Sequence, residues 1–384
     1  MITDNMFKLY KKIFSKKIQM MTLSAIPFLL LGCGNTSTNS AVIDYSSPVS
    51  VTDAAEKRPE KSDSSITFDG SPAIKKADIL VDSSDIEQTA ENYQVAFNQM
   101  SALSVPTYIT EYDGLYFIVD CYHSQVIYSD SISNPLTEWM IMTDTVNQAH
   151  TIASDGDVYL IDDTENNRVL VYEKCGRKFI NTQVFNDIGT RPHFTTYDEY
   201  SDTFYTWSSA TGELYCFKHS QNDNTMYLTE IRSIEKLNGV YVRSFTIVGD
   251  YIYFVSGVSA ASASPTILCC RLDTLDIVAE YEVPDSMAGM VQITPIGNYF
   301  YISISTDING SQDYATLIRT KSLENLMTGD YEDIYSTYFV GGGTPYYMSQ
   351  INDLYYLTEH RLPAHSIWSF SITDDNIENV TTIY

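Results

Sequence analysis

Six side chains that can hold a ligand recur along the chain, each in a short segment that leads into a strand-like run. They are Thr107, His150, His193, Arg243, Gln292 and Tyr346. An arginine grips a carboxylate or phosphate through paired hydrogen bonds, and histidines are donors whose charge changes near neutral pH. Brought together, these residues would form a pocket for an anionic or sugar-like ligand. The two histidines could instead act as general base and acid in an elimination or a hydrolysis, or all six side chains could simply fill a narrow channel.

The elements that must position these residues are β-strands. From about residue 104 onward, Tyr, Ile, Val, Thr and Phe form short alternating runs separated by Gly, Asp and Asn, which is typical of strands and turns. A strand tyrosine recurs at intervals of 43, 46, 48, 48 and 54 residues, at Tyr116, Tyr159, Tyr205, Tyr253, Tyr301 and Tyr355. Each interval has room for the four strands of a propeller blade. We therefore predict an all-β, six-bladed β-propeller over residues 104–384, with an irregular β-sandwich as the alternative. In a propeller, the loops leading into the innermost strands would bring the six candidate residues to one mouth of the central channel.

Two of the repeats carry a more specific pattern. Residues 155–172 read Asp-Gly-Asp-Val-Tyr-Leu-Ile-Asp-Asp-Thr-Glu-Asn-Asn-Arg-Val-Leu-Val-Tyr, and residues 113–128 match this run in part. The pattern resembles NHL-type repeats, whereas the later repeats depart from it. The resemblance implies a propeller but no particular activity, because such propellers serve as binding platforms, lyases and hydrolases. We expect Asp120 and Asp163 to have local roles, accepting backbone N–H bonds or pairing with Gln125 and Arg168.

The N-terminus carries a different signal. Five lysines, an apolar stretch from Ile18 to Leu31 and the run Leu30-Leu31-Gly32-Cys33 resemble a bacterial lipoprotein signal peptide. The resemblance implies cleavage after residue 32 and a diacylglyceryl group on Cys33, with an acylated amine. Two or three acyl chains anchor a protein stably without a spanning helix. The expected location is therefore the extracytoplasmic side of the cell membrane or outer membrane.

Between this signal and the blades, residues 33–80 are rich in Ser, Thr, Asp, Ala and Lys and predict a disordered, flexible linker. Residues 81–103 predict either a short helix or an added strand around Tyr93 to Phe97. The full chain has a net charge of −26, and removal of residues 1–32 makes it −30. So negative a protein is a poor partner for nucleic acid.

The remaining cysteines do not indicate a disulfide framework or a zinc site. These cysteines are odd in number, and none is spaced as Cys-x-x-Cys. They are Cys121, Cys175, Cys216, Cys269 and Cys270. We expect no metal and no cofactor. The predicted function is a lipid-anchored binding module at the cell envelope, for a protein or a small anionic or sugar-like ligand. A lyase or hydrolase using His150 and His193 is one alternative, and an envelope scaffold without a small-molecule site is another.

Overall fold

Six antiparallel sheets follow one another along the chain in the structure, a computed structural model that describes residues 68–257 and 264–384. The sheets are the blades of a six-bladed propeller, as the tyrosine spacing predicts. Each blade takes four consecutive strands, the first innermost and the fourth outermost. Two short strands precede the first blade, namely β1 (Lys75–Lys76) and β2 (Asp78–Ile79).

The strands of the first three blades are as follows. Blade 1 contains β3 (Pro106–Tyr112), β4 (Leu115–Asp120), β5 (Gln125–Ser129) and β6 (Met140–Thr143). Blade 2 contains β7 (Ile152–Ser154), β8 (Val158–Asp163), β9 (Arg168–Cys175) and β10 (Lys178–Asn186). Blade 3 contains β11 (Pro192–Asp198), β12 (Thr203–Ser208), β13 (Glu213–His219) and β14 (Met226–Ser233).

The other three blades repeat this order to the end of the chain. Blade 4 contains β15 (Val242–Val248), β16 (Tyr251–Ser256), β17 (Thr266–Arg271) and β18 (Ile277–Glu282). Blade 5 contains β19 (Met290–Ile296), β20 (Tyr299–Ile304), β21 (Thr316–Thr320) and β22 (Glu332–Asp333). Blade 6 contains β23 (Thr344–Ile351), β24 (Leu354–His360), β25 (Ile367–Thr373) and β26 (Asn376–Thr382).

Among the described residues, helical structure is confined to connections. The α-helices there are α1 (Ile86–Asn92), which precedes the blades, and α2 (Tyr335–Tyr338), which leads into blade 6. Short 3₁₀ turns occupy Ser83–Asp85, Cys121–His123, Leu136–Glu138, Thr164–Asn166, Glu235–Leu237, Asp285–Met287, Gln312–Tyr314 and Leu323–Thr328.

The apolar core is divided among six seams between neighbouring blades. Side chains of one strand alternate between the two faces of its sheet, so each blade contributes apolar residues to the seam on either side. Between blades 1 and 2, for example, Phe117 and Tyr128 pack with Tyr159 and Phe179. Every blade is thereby held from both sides, and the loops at the blade ends are left to form the two faces of the wheel.

The ring closes without exchange of a strand, because blades 1 and 6 are each complete within one continuous stretch of chain. Tyr384 joins them: its hydroxyl lies 2.6 Å from the carbonyl oxygen of Ile132 and accepts a hydrogen bond from Trp139 Nε1 at 3.0 Å. Ser349 and Thr358 of blade 6 also donate to backbone carbonyls of β3. The seam between the first and last blades is therefore sealed by side chains.

Residues 75–97 run along the outside of the propeller in the order opposite to that of the blades. β1 pairs with β14 of blade 3, β2 pairs with β10 of blade 2, and Phe97 forms a single bridge with Met140 of blade 1. Residues 81–103 contain helix α1 and the Phe97 bridge. The predicted linker extends to residue 80, yet the chain is already paired with the propeller at Lys75, because outer strands offer free backbone groups that short segments can cover.

The predicted signal peptide, Cys33 and residues 34–67 of the predicted linker lie outside the described residues. Within the described ranges, no helix is long and apolar enough to cross a membrane. The described cysteines are free thiols, and only Cys175 among them is not fully buried.

Candidate functional site at the channel mouth

The innermost strands begin with a local irregularity that aims side chains at the mouth of the channel. In blades 1, 3, 4, 5 and 6 the first strand carries one extra residue near its start relative to the second strand, which is a β-bulge. A bulge bends the strand and redirects the side chain of the extra residue. In blade 3 the bulged residue is His193, and in blade 6 the bulge spans Tyr346 and Tyr347.

His150 and His193 meet at the channel mouth. Their rings stack with centroids 3.6 Å apart and an interplanar angle of 26°, and both side chains are buried, at 6% and 1% exposure. Burial lowers the pKa of each imidazole well below its usual value, and the positive charges of Arg191 and Arg243 lower it further. Both rings are therefore uncharged at neutral pH.

Each ring nitrogen of this pair already faces a group of the protein. His150 Nδ1 lies 2.9 Å from Thr164 Oγ1, and its Nε2 lies 3.8 Å from the thiol of Cys121. His193 Nδ1 lies 3.0 Å from the hydroxyl of Tyr347 and its Nε2 lies 3.5 Å from that of Tyr346. The pair is held rigidly by these contacts.

Above the histidines lies a cationic and aromatic rim. The guanidinium of Arg243 lies over the ring of Tyr241, with Cζ 5.0 Å from the centroid, and that of Arg191 lies 5.9 Å from the same centroid. The Tyr241 ring meets His193 edge-on at 5.8 Å. Tyr122, in the loop after β4, is 60% exposed. Arg191 is paired with the carboxylate of Glu165.

Blade 6 completes the rim. The ring of Tyr346 packs against that of Tyr347 at 4.6 Å and against that of His360 at 6.0 Å. Burial lowers the pKa of His360 to about 4, with further lowering by Arg361 and Arg243. His360 is the last residue of β24 and pairs with Thr344 at the start of β23.

Four of the six predicted residues, His150, His193, Arg243 and Tyr346, are thus brought together. The other two are used between blades. Thr107 is fully buried and donates to the carbonyl oxygen of His150 at 2.8 Å. The amide of Gln292 makes two hydrogen bonds with the backbone of Met348, at 3.1 and 2.6 Å. In blade 5 the extra residue of the bulge is Val291, and Gln292 is the residue that follows it.

Sequence reasoning missed Arg191, Tyr241, Tyr122, His360 and Arg361. A signal was present for the first two, since each stands two residues before a selected residue, in Arg191-Pro-His193 and Tyr241-Val-Arg243. Tyr122 and Arg361 follow the second strands of blades 1 and 6, and His360 ends the second strand of blade 6. In an antiparallel blade the second strand ends at the face where the first begins, so these loops share the channel mouth with the loops between blades.

The mouth offers binding groups of three kinds: guanidinium donors, aromatic faces and neutral imidazoles. Across the described ranges, no group of three or more His, Cys, Asp or Glu side chains is arranged to hold a metal ion. Burial raises the pKa of the Cys121 thiol, so this sulfur is a poor nucleophile at neutral pH.

Comparison with known proteins identifies the fold. Two solved structures described as "putative 6-phosphogluconolactonase" are similar. The one from Bacteroides uniformis has a TM-score of 0.50 and 13% identity over 73% of this chain and 85% of that one. The one from Bacteroides fragilis has a TM-score of 0.51 and 13% identity over 73% and 83%. Virginiamycin B lyase from Staphylococcus aureus reaches a TM-score of 0.49 at 14% identity over 76% and 88%. No protein-family model and no curated protein matches the chain. At these identities the similarity shows the propeller fold alone.

Proposed function

We propose that this protein is a lipid-anchored, extracytoplasmic binding module that captures a small anionic ligand at the channel mouth. The observation that carries the proposal is the composition of the mouth: Arg243 and Tyr241 form a rim above a buried, uncharged histidine pair. An arginine next to aromatic faces suits a ligand with an acidic group and a flat or hydroxylated body.

The histidine geometry favours binding over acid–base catalysis. A general base must reach the proton that it abstracts, yet His150 and His193 are buried and their ring nitrogens face Thr164, Cys121 and two tyrosine hydroxyls. A substrate would have to displace these partners. The histidine pair is therefore better suited to supporting the rim as a fixed part of the pocket than to acting as the acid and base of a lyase or hydrolase.

The lipid anchor rests on the sequence around Cys33, and the placement of the following chain is compatible with it. The described chain starts at Phe68, whose ring packs edge-on against Tyr227 on the outer strand of blade 3, with centroids 5.5 Å apart. The chain thus joins the propeller at its outer edge. A tether attached at this edge would leave the channel mouth open to the ligand.

The binding role is tested by Arg243→Gln. In thermal unfolding with millimolar phosphate, citrate and glucuronate at constant ionic strength, we expect at least one anion to raise the Tm of the unmodified protein, since a ligand that binds only the folded state stabilises it. The Gln variant should lose that shift, because a charge-assisted hydrogen bond is worth about tenfold or more in affinity.

The matched control is Arg271→Gln. Arg271 ends β17 at the face of blade 4 away from the mouth, and it pairs with Asp273 at 3.1 Å. This variant should keep the full shift. Equal loss in both variants, or no shift with any anion, would contradict anion binding at the mouth.

The anchor is tested by Cys33→Ala in the full-length chain expressed in a bacterium. Loss of the lipidated cysteine should leave an unprocessed, unlipidated precursor and remove the mature protein from the detergent phase of a Triton X-114 partition. Cys175→Ala, which changes a free thiol on the propeller, should partition as the unmodified protein does. Detergent partition of a processed Cys33→Ala protein would refute the anchor.

A further inference from the structure

Most described arginines of this acidic protein are paired with acids, and the two that are not both lie at the channel mouth. The described ranges contain eight arginines, and six of them lie within ion-pair distance of a carboxylate, namely Arg168, Arg177, Arg191, Arg232, Arg271 and Arg319. Among the described residues, Arg243 and Arg361 have no such carboxylate. In a chain with 49 acidic and 23 basic residues, two arginines left without an acid on one face indicate a place for an external anion.

The two guanidinium groups have donors to spare. Arg243 Nη1 donates to the carbonyl oxygen of Met290 at 3.3 Å. Arg361 Nη1 donates to the carbonyl oxygen of Gln312 and to Thr344 Oγ1, both at 3.1 Å. A guanidinium carries five N–H donors. The contacts of Arg361 hold it over the first residue of β23, at the start of the strand that presents Tyr346.

Arg243 and Arg361 act on a common neighbour. Both positive charges lower the pKa of His360, whose ring lies 6.0 Å from that of Tyr346. The same Tyr346 hydroxyl faces His193, which meets Tyr241 beneath Arg243. A continuous row of aromatic rings therefore connects the two arginines across the mouth.

The surrounding groups offset the two positive charges only in part. The three histidines of the mouth are neutral at pH 7, and Arg191 is balanced by Glu165. The nearby buried acids include Asp162 and Glu359. Burial raises the pKa of each to about 7, so each is only partly ionised at neutral pH. Asp162 is occupied by the backbone and side chain of Thr151, and Glu359 by the hydroxyl of Tyr335.

We infer that the mouth binds a small phosphomonoester, whose doubly charged phosphoryl group is held between Arg243 and Arg361. A phosphomonoester carries nearly two negative charges at pH 7 and three acceptor oxygens, which match two guanidinium forks better than one carboxylate does. The exposed ring of Tyr122 and the ring of Tyr241 offer flat surfaces to the body of the ligand. This inference rests on the proposed binding role. It goes beyond that role by assigning a double negative charge to the ligand and by naming Arg361 as a second binding residue.

The test compares the binding of phenyl phosphate and of benzoate to the full-length protein by isothermal titration calorimetry at pH 7.5 and constant ionic strength. We expect phenyl phosphate to bind at least about tenfold more tightly, because it engages both arginines. Arg361→Gln should weaken phenyl phosphate about tenfold and leave benzoate within about twofold, whereas Arg243→Gln should weaken both. Arg361→Lys keeps the positive charge but not the paired guanidinium donors. Its affinity for phenyl phosphate should therefore lie between that of the unmodified protein and that of the Gln variant. Arg271→Gln should change neither affinity.

The outcomes separate the two levels of the proposal. If both probes bind equally and only Arg243→Gln matters, anion binding at the mouth stands and the phosphoryl assignment is refuted. If phthalate binds more tightly than phenyl phosphate, the phosphoryl assignment is refuted and the ligand carries two carboxylates instead. Inorganic phosphate binding as tightly as phenyl phosphate would refute a phosphomonoester in favour of free phosphate. If neither arginine variant changes any affinity, the proposed function fails as well.

Discussion

Burial shifts the pKa of several ionisable side chains at the centre of the propeller towards favouring the neutral form, and each shift has a consequence for stability. His150 and His193 have a pKa well below the usual value, so protonation favours the unfolded chain. Their stabilising contribution is present above about pH 6.5 and is lost as the pH falls below it. Asp162 and Glu359 have a raised pKa of about 7, so their contribution is present at acid pH and is lost as the pH rises. The two effects oppose each other, and a single variant is needed to separate them.

Glu359→Gln isolates one carboxyl. Glu359 is fully buried and accepts a hydrogen bond from the Tyr335 hydroxyl at 2.5 Å. With the folded pKa raised from 4.5 to about 7, ionisation should cost the unmodified protein up to about 3 kcal/mol by pH 8. The Tm of the Gln variant minus that of the unmodified protein should therefore increase between pH 5 and pH 8. Glu378→Gln, on an exposed position of β26, should show a flat difference, and a flat difference for Glu359→Gln would contradict the buried-acid account.

At the scale of elements, the regular parts of the strands were predictable and their irregular starts were not. The alternating apolar runs predicted strands because this alternation is set by local sequence. The tyrosine spacing predicted four strands per repeat because each interval has room for four. In the Asp155 to Tyr172 repeat, Asp163 pairs with Arg168 across the hairpin at 2.6 Å, as expected for an Asp at the end of a strand. This hairpin carries Thr164, whose hydroxyl faces His150.

The register at the mouth depends on single-residue bulges that leave no sequence signature. In blade 5 the extra residue is Val291, so Gln292 turns towards blade 6 and bonds to the backbone of Met348. A shift of one residue sends a side chain to the other face of a strand. Arg361 was missed for another reason. It lies beside the mouth because β24 runs back to that face of the propeller, and this direction follows from the antiparallel blade and cannot be read from the residues around Arg361.

At the scale of the molecule, the six seams are similar in construction, but the seam between blades 6 and 1 joins residues far apart in the chain. Here Trp139 and Ile109 of blade 1 pack with Ile351 and Ile367 of blade 6. Closing this seam fixes the diameter of the ring and so the distance across the mouth. The contacts of Tyr384 matter beyond their own energy because they join blade 6 to blade 1 at this seam.

Tyr384→Phe removes the hydroxyl that joins the carbonyl of Ile132 to the indole of Trp139. We expect a loss of about 1 kcal/mol in the free energy of unfolding in urea, the usual net value of a hydrogen bond. Amide hydrogen exchange should accelerate first in β26 and in residues 132–143, while blades 3 and 4 keep their protection, because the ring is joined there by continuous chain. Tyr314→Phe, at a residue that is 52% exposed, provides the control and should change neither quantity. If exchange in Tyr384→Phe accelerates equally in all six blades, or if the two variants lose the same stability, closure at this seam does not depend on Tyr384.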